Sequence, residues 1–482
     1  MKRYLFLVPF YFLSFLQSEK CIASQIAGAE ITYTCTGGNN YRFYFTLYSE
    51  CGGQGADTSY TISGASSCGD SAKVIVSRDS TVEIMHTCSL ISSKCINAAS
   101  SYIGIEANYF HGDVTIPSAC NFWTFGMSPP ICSRNGATNL EPNGSAYCLY
   151  VKATVNNSVP IINSSPVFQR VPGIFLGVGN TQYVSQYAFD PDGDSLTFEL
   201  IKAHSNELND VQYKFGLSAT QPVYYTIPDS TSCNPRSGQL RFIANVPQTA
   251  VVAMQINEFR NDVLIGSVER DVEYVFANNI NNPPSLSGVN GQISFNWHIC
   301  ADSLLTFLIK SSDIDAQDQT SISWLSEIPS AIFNNSGTHR DTGHITWQPS
   351  LLDFRSRPYF IIATVTDSAC PVPGINSYCY SIYVDSCTSH DGITENEMNE
   401  IHFSAFYNSS GQSIRFYYHL NEPSVSTISL YDLTGRKMKI VMIEKLRESD
   451  GVIDVSSVSS GMYVLNLKIG NAFSKSIKVV ID

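Results

Sequence analysis

The segment Tyr187-Ala-Phe-Asp-Pro-Asp-Gly-Asp-Ser-Leu-Thr-Phe-Glu-Leu200 carries three aspartates at alternate positions, Asp190, Asp192 and Asp194, around a Pro and a Gly. Pro and Gly supply a tight turn, after which Leu196, Phe198 and Leu200 alternate as on a half-buried strand. Carboxylates two residues apart on such a turn can converge on one hard cation, and Ca²⁺ prefers oxygen ligands of this kind. Asp and Asn in turns also cap their own backbone with no metal involved. A second acidic turn, Asp313-Ile-Asp-Ala-Gln-Asp318, again precedes an apolar alternation. The chain therefore reads as a series of β modules.

Composition points the same way. Only 15% of the residues are charged, while Tyr and Phe number 26 each. With abundant Ser, Thr, Asn, Gly and Val, this predicts an all-β protein, and no long helical periodicity interrupts it. A chain of 482 residues is too long for one core, so several domains are expected. The formal charge of −13 argues against nucleic acid, which needs a basic footprint.

At the N-terminus, Lys2 and Arg3 precede the apolar run Tyr4–Leu16, and Cys21-Ile-Ala23 supplies small residues for cleavage. This predicts a signal peptide over residues 1–23. The run is too short to span a bilayer, and Ser18-Glu-Lys20 is unlike a lipobox. No other segment could cross as an apolar helix, so an exported chain without a transmembrane segment is expected. Its 14 cysteines then read as disulfides. Beyond Cys21, eight fall between Cys35 and Cys148 and four between Cys300 and Cys387, while Cys233 stands alone. Even clusters predict bridges within domains, with the connectivity left open. Zinc is disfavoured because no CxxC pair and no HxxxH occurs.

Residues 24–157 read as a disulfide-rich β domain. Ile31-Thr-Tyr-Thr34 and Tyr41–Tyr48 form two strands around Gly37-Gly-Asn-Asn40, with Phe43, Phe45 and Leu47 on one face. An internal repeat follows, 158–279 and 280–388. Ile162-Asn-Ser-Ser-Pro166 and Ile280-Asn-Asn-Pro-Pro284 open the two units, and each continues through an acidic turn. Each then has a Gly turn and strand, Ser237–Phe242 and Thr342–Trp347. Each closes on an alternating strand ending in an acid, Val252–Glu258 and Ile361–Asp367. Residues 389–400 are polar and acidic, a linker. Residues 401–482 lack cysteine and read as a sandwich of short strands, with a tight turn at Asp432-Leu-Thr-Gly435.

Three resemblances extend this reading. Gly28–Cys35, Tyr41–Cys51, Ser133-Arg-Asn135 and Tyr150–Asn157 are similar to the opening domain of secreted multidomain β-proteins of the Bacteroidetes. The two repeats resemble cadherin-like and Ig-like (PKD-like) repeats of bacterial surface proteins. There a D-x-D-G-D turn and a later strand-end acid accompany Ca²⁺. That resemblance implies a structural calcium site of Asp190, Asp192, Asp194 and Glu258 in the first repeat. In the second repeat Gln317 lengthens the turn and no Gly follows Asp315. Asp313, Asp315, Asp318 and Asp367 are therefore the set further from the pattern.

The terminal unit resembles the type A C-terminal sorting domain of the type IX secretion system. Ile428-Ser-Leu-Tyr-Asp-Leu-Thr-Gly-Arg436, Val452–Ser456, Ser460-Gly-Met-Tyr-Val464 and Lys475-Ser-Ile-Lys478 carry the likeness. Its motif residues are Asp432, Gly435, Arg436, Gly461, Tyr463, Lys475 and Lys478. The usual Pro-Asn-Pro opening is absent, and Phe403–Asn408 stands in its place. The resemblance implies an address read by the secretion machinery at the outer membrane, after passage through the periplasm.

Catalytic constellations are thin. There is no GxSxG, HExxH, phosphate loop or complete GxGxxG. Asp341-Thr-Gly343 matches an aspartic-protease triplet, but Thr338-His-Arg340 precede it where an apolar approach is needed, so it reads as a turn. His339 and His344 flank that turn as solvated side chains. Trp123, Trp297, Trp324 and Trp347 read as core residues rather than sugar platforms. The expected function is that of a secreted or cell-surface structural or adhesion protein, not an enzyme, with an extracellular protein or glycan as ligand. The alternatives are an extracellular hydrolase or its substrate-binding accessory, and a self-assembling surface-layer or filament subunit.

Overall fold

The computed structural model describes residues 26–385 and 402–481, except 54, 85–87, 89, 133, 135, 159–161, 170, 226–229, 279–280, 329, 356, 409–411, 434 and 470–472. The expected signal peptide and the linker at 389–400 lie outside the described residues. The described residues form strands and three single 3-10 turns, so the all-β expectation is met. The chain divides into two compact units, Met1–Cys387 and Thr388–Asp482.

In the first unit, the strands Ile26–Gly37 and Asn40–Glu50 make the predicted hairpin. Phe43, Phe45 and Leu47 are buried together. From this hairpin the antiparallel pairing runs through Ile105–Thr115, Ser71–Glu83, Ser59–Ser66, Trp123–Met127 and Lys152–Val155. It reaches Val263–Ala277, which pairs back to Ile26–Gly37 and closes an eight-strand circuit. Closure leaves no free edge around the ring. Aromatic side chains fill it: Phe43 and Phe125 lie 4.5 Å apart, and Trp123 stacks on Phe125 at 5.7 Å.

One continuous core runs from Ile26 to Phe276 and so crosses the expected boundary at residues 157 and 158. The closing strand pairs Glu30 with Arg270, contacts invisible to local alternation. It leaves Gln248–Arg260 through a two-residue turn at Asn261-Asp262, both at positive φ. Residues 286–384 form a separate core between two four-stranded sheets, a sandwich. Trp123 and Trp347 are buried, while Trp297 and Trp324 pack partly exposed against the second core.

The two cores are joined directly. Tyr183 N donates to Asn376 Oδ1 at 2.7 Å, Gln239 Nε2 to Ser377 O at 2.9 Å, and Tyr183 packs on Tyr378. Cys51–Cys95, Cys68–Cys120 and Cys132–Cys148 stay within residues 24–157 as expected. Cys88–Cys370 does not: it ties the barrel to the second sandwich, correcting the expectation that bridges stay within domains. The physical reason is the docking of the two cores, which brings the loop at Pro371 onto Cys88 N at 3.0 Å. Cys35, Cys233 and Cys379 are free.

The strand Val263–Ala277 also buries Glu269, Arg270, Asp271 and Glu273, charges that alternation would place in solvent. Each has partners. Arg270 pairs with Glu30 and lies 3.8 Å over the Phe168 ring, and Arg134 pairs with Asp271. His204 Nδ1 lies 2.7 Å from Asp210 Oδ1 and Nε2 3.3 Å from Glu269 Oε1. A neutral imidazole has one N–H, so satisfying both carboxylates takes an imidazolium. The bond to Glu269 raises the His204 pKa, against burial and Lys152, with Asp210 adding to the rise. This stabilisation is complete below the ordinary imidazole value near about 6.5 and is lost as pH rises through the raised folded value. His204→Asn is therefore expected to lower the melting temperature more at about pH 5.5 than at about pH 9. Equal losses at both would remove the imidazolium from this account.

In the second unit, where short strands were expected, five strands form one sheet and two of them are long. Ser413–Asp432 and Lys437–Asp454 pair along most of their length, with register shifts between His419 and Ser426 and between Leu430 and Tyr431. His402–Asn408 pairs with the first half of Ser413–Asp432 and Gly461–Ile469 with the second half. Phe473–Ile481 adds the last strand. Ile414, Phe416, Tyr418, Ile428, Leu430, Leu465 and Leu467 alternate into its core.

Candidate functional site

The first acidic turn folds as its residue types dictate. Asp190 Oδ1 accepts from the backbone N–H groups of Asp192 and Asp194, both at 2.9 Å, and Gly193 takes positive φ between them. The carboxylates of Asp190, Asp192 and Asp194 each place an oxygen within 4.8 Å of the others. Asp192 Oδ2 accepts from Ser164 N at 2.6 Å, and Asp194 pairs with Arg260. Glu258 meets Asp190 from the strand Gln248–Arg260, and Asn163 Nδ2 holds its Oε2 at 3.0 Å. Gly266, opposite Glu258 in the ladder, makes room for that carboxyl: a Cβ there would lie 2.8 Å from Glu258 Oε2.

Two oxygens of this cluster, Asp190 Oδ2 and Glu258 Oε1, receive no N–H or O–H donor from another side chain or the backbone among the described residues, and the two carboxyls meet each other. Asp190 is 6% exposed and Glu258 0%. Burial raises both pKa values; the charge of Asp190 adds to the rise at Glu258, while at Asp190 the bond to Glu258 works against the rise and the charges of Asp194 and Asp192 add to it. Buried carboxylate oxygens without such a donor are costly unless a proton or a cation meets them. The donor set, all oxygen and acidic, fits a hard cation such as Ca²⁺.

The second turn repeats this wiring. Asp313 Oδ1 accepts from Asp315 N at 2.9 Å, Asp315 Oδ2 from Asn282 N at 2.7 Å, and Asn281 Nδ2 holds Asp367 Oδ2 at 2.9 Å. Asp313, Asp318 and Asp367 come together, while Asp315 is turned toward Asn282 instead. Thus Asn163 with Glu258, and Asn281 with Asp367, hold equivalent places. The openers Ile162-Asn and Ile280-Asn marked these asparagines as repeat starts, but not as partners of the strand-end acids. Arg260, and the part Arg340 plays at its turn, carry no signal in the sequence, because nothing in their neighbours' spacing links them to the turns. Arg340 donates to the backbone carbonyls of Asp313, Asp315 and Asp318.

Asp341 is a turn residue. Its Oδ1 accepts from Ser336 Oγ, Gly337 N and Thr342 N, and its Oδ2 from Ile322 N, leaving no free oxygen for chemistry. His339 Nε2 lies 3.0 Å from Ala316 O.

In the terminal unit, Asp432 Oδ1 accepts from Arg436 N at 3.0 Å and Oδ2 from Arg436 Nε at 3.1 Å, while Gly435 N donates to Asp432 O. Asp432, Gly435 and Arg436 thus tie the turn that joins the two long strands. Gly461 opens the next strand, and buried Tyr463 donates its hydroxyl to Ser459 O at 2.7 Å. Lys475 and Lys478 stand exposed on the last strand.

Residues 408–482 match the family model of the secretion system C-terminal sorting domain. The chain is therefore an exported β-protein whose terminal unit is a type IX secretion address, and its destination is the cell surface or the medium. No helix among the described residues is long and apolar enough to cross a membrane. Comparison with curated proteins found no match. Similar solved structures include the human desmocollin-1 ectodomain, at 10% identity and TM-score 0.16, covering 69% of this chain and 66% of that one. Another is Drosophila N-cadherin EC1-3, at 10% identity and TM-score 0.20, covering 64% of this chain and 95% of that one. An ICAM-5 ectodomain fragment aligns at 9% identity and TM-score 0.15, covering 94% of this chain and 98% of that one. Scores this low carry no argument about this chain.

Proposed function

We propose that this is a cell-surface or secreted structural and adhesion protein, in which calcium at the first acidic turn stiffens the packed β modules. The observation that carries the calcium reading is the pair of buried oxygens without a donor on Asp190 and Glu258. The second turn, through Asp313, Asp318 and Asp367, is the candidate for a further ion. Stiffening follows from position: Arg357 of the second sandwich reaches Asp194 O at 3.4 Å, so the first turn lies against its neighbour.

The adhesive reading rests on the export address together with modules whose acidic clusters are accounted for as turns and cation holders. Glu258 is fully enclosed, and the cavities lined by Phe175, Val372, Pro373 and Ile375 present no carboxylate. The exported protein, purified and screened against glycans and extracellular-matrix proteins, is expected to bind a member of one class without turning it over. Hydrolysis of a polysaccharide or protein would replace this reading with the enzymatic one.

A further inference from the structure

The first acidic turn already contains a cation of its own. Arg260 donates Nε to Asp194 Oδ1 at 2.7 Å and Nη2 to Asp194 Oδ2, a bidentate pair. Nη2 also reaches Asn163 Oδ1 at 2.8 Å, and Nη1 reaches Ile162 O at 3.2 Å. Asp192 Oδ2 stands off at 3.9 Å. The Arg260 side chain is 14% exposed, so the pair is largely out of water, where such forks are strong. Its place is set by the end of the strand Gln248–Arg260, one residue before the tight turn at Asn261.

The charges do not balance. Asp190, Asp192 and Asp194 share this one guanidinium as a hydrogen-bonding counter-charge, while Arg357 donates to the backbone carbonyl of Asp194 and acts on Asp190 through its charge alone. Arg260 satisfies the Asp194 arm, while the oxygens without a donor lie on Asp190 and Glu258. A divalent ion that engages all three aspartates of the turn competes with Arg260 for the electron density of the Asp194 carboxylate, whose two oxygens both already accept from the guanidinium. The second repeat differs here, since the Arg340 hydrogen bonds go to backbone carbonyls and its charge acts on the Asp313 carboxylate without a fork.

We propose that Arg260 is the internal counter-cation of the first acidic turn and competes with a divalent cation for the Asp194 carboxylate. The proposal rests on the calcium reading above and adds its regulation: the metal-free turn is held in order by Arg260, and loading releases the guanidinium. The metal-free module therefore keeps its shape at the cost of affinity.

Calcium titration of the full chain by calorimetry, in chelator-stripped buffer, tests this with wild type, Arg260→Gln and Arg260→Lys. Arg260→Gln is expected to bind about tenfold more tightly than wild type, the loss of one charge-assisted pair to be displaced. Arg260→Lys, which keeps the charge but not the fork, is expected between the two. It reports on the same competition if the Gln variant does not fold. Binding by the variants alone supports the proposal more strongly still. Equal or weaker binding by the variants overturns the competition and leaves the calcium reading in place. No binding by any of the three removes both.

Discussion

A chain lacking residues 401–482 is expected to accumulate in the periplasm, with little or none outside the cell, while the full-length chain reaches the surface or the medium. The terminal unit has a core of its own, built from Ile414, Phe416, Ile428, Leu430, Leu465 and Leu467. The rest of the chain is a separate compact unit, so the deletion removes the address without opening the first two cores. Cell fractionation and immunoblotting against the first unit give the readout. Equal external protein from both chains would sink the role of the sorting domain in export.

Calcium is expected to raise the melting temperature of the first unit, and Glu258→Gln to abolish that response. A ligand present at a hundredfold its dissociation constant stabilises the folded state by about 2.7 kcal/mol, which is several degrees for a domain of this kind. In chelator, Glu258→Gln is expected to change stability little. Burial and the neighbouring Asp190 already hold the Glu258 carboxyl toward its neutral form, which an amide imitates. The variant thus separates metal response from folding. A melting temperature indifferent to calcium and chelator in the wild type would remove the metal, and a calcium response kept by Glu258→Gln would remove Glu258 from its ligands.

Much of the architecture was legible in the sequence. The hairpin at Gly37–Asn40 announced itself by alternation around turn residues, and the acidic turns by Pro, Gly and Asp at fixed offsets. The order of opener, turn and strand-end acid paired Asp190 with Asp313 and Glu258 with Asp367, and the same hydrogen bonds recur at both. Strand lengths were less legible. In the terminal unit short strands were expected, but pairing with Lys437–Asp454 lets Ser413–Asp432 continue through register shifts. Polar stretches mark loops only when nothing pairs with their backbone.

What the sequence determined by itself was the all-β class, the repeated acidic turns and the terminal sorting unit, because each is written in residues that are neighbours along the chain. Alternation and turn chemistry act over a few positions and need no knowledge of the partner. Only the tertiary structure decided that Val263–Ala277 closes the barrel begun by Ile26–Gly37, and that Cys88 bonds Cys370. It also decided that Glu269, Arg270 and Asp271 are buried, and that Arg260 sits on Asp194. These outcomes depend on which distant surfaces dock. A charge or a cysteine carries no local record of the partner that will satisfy it.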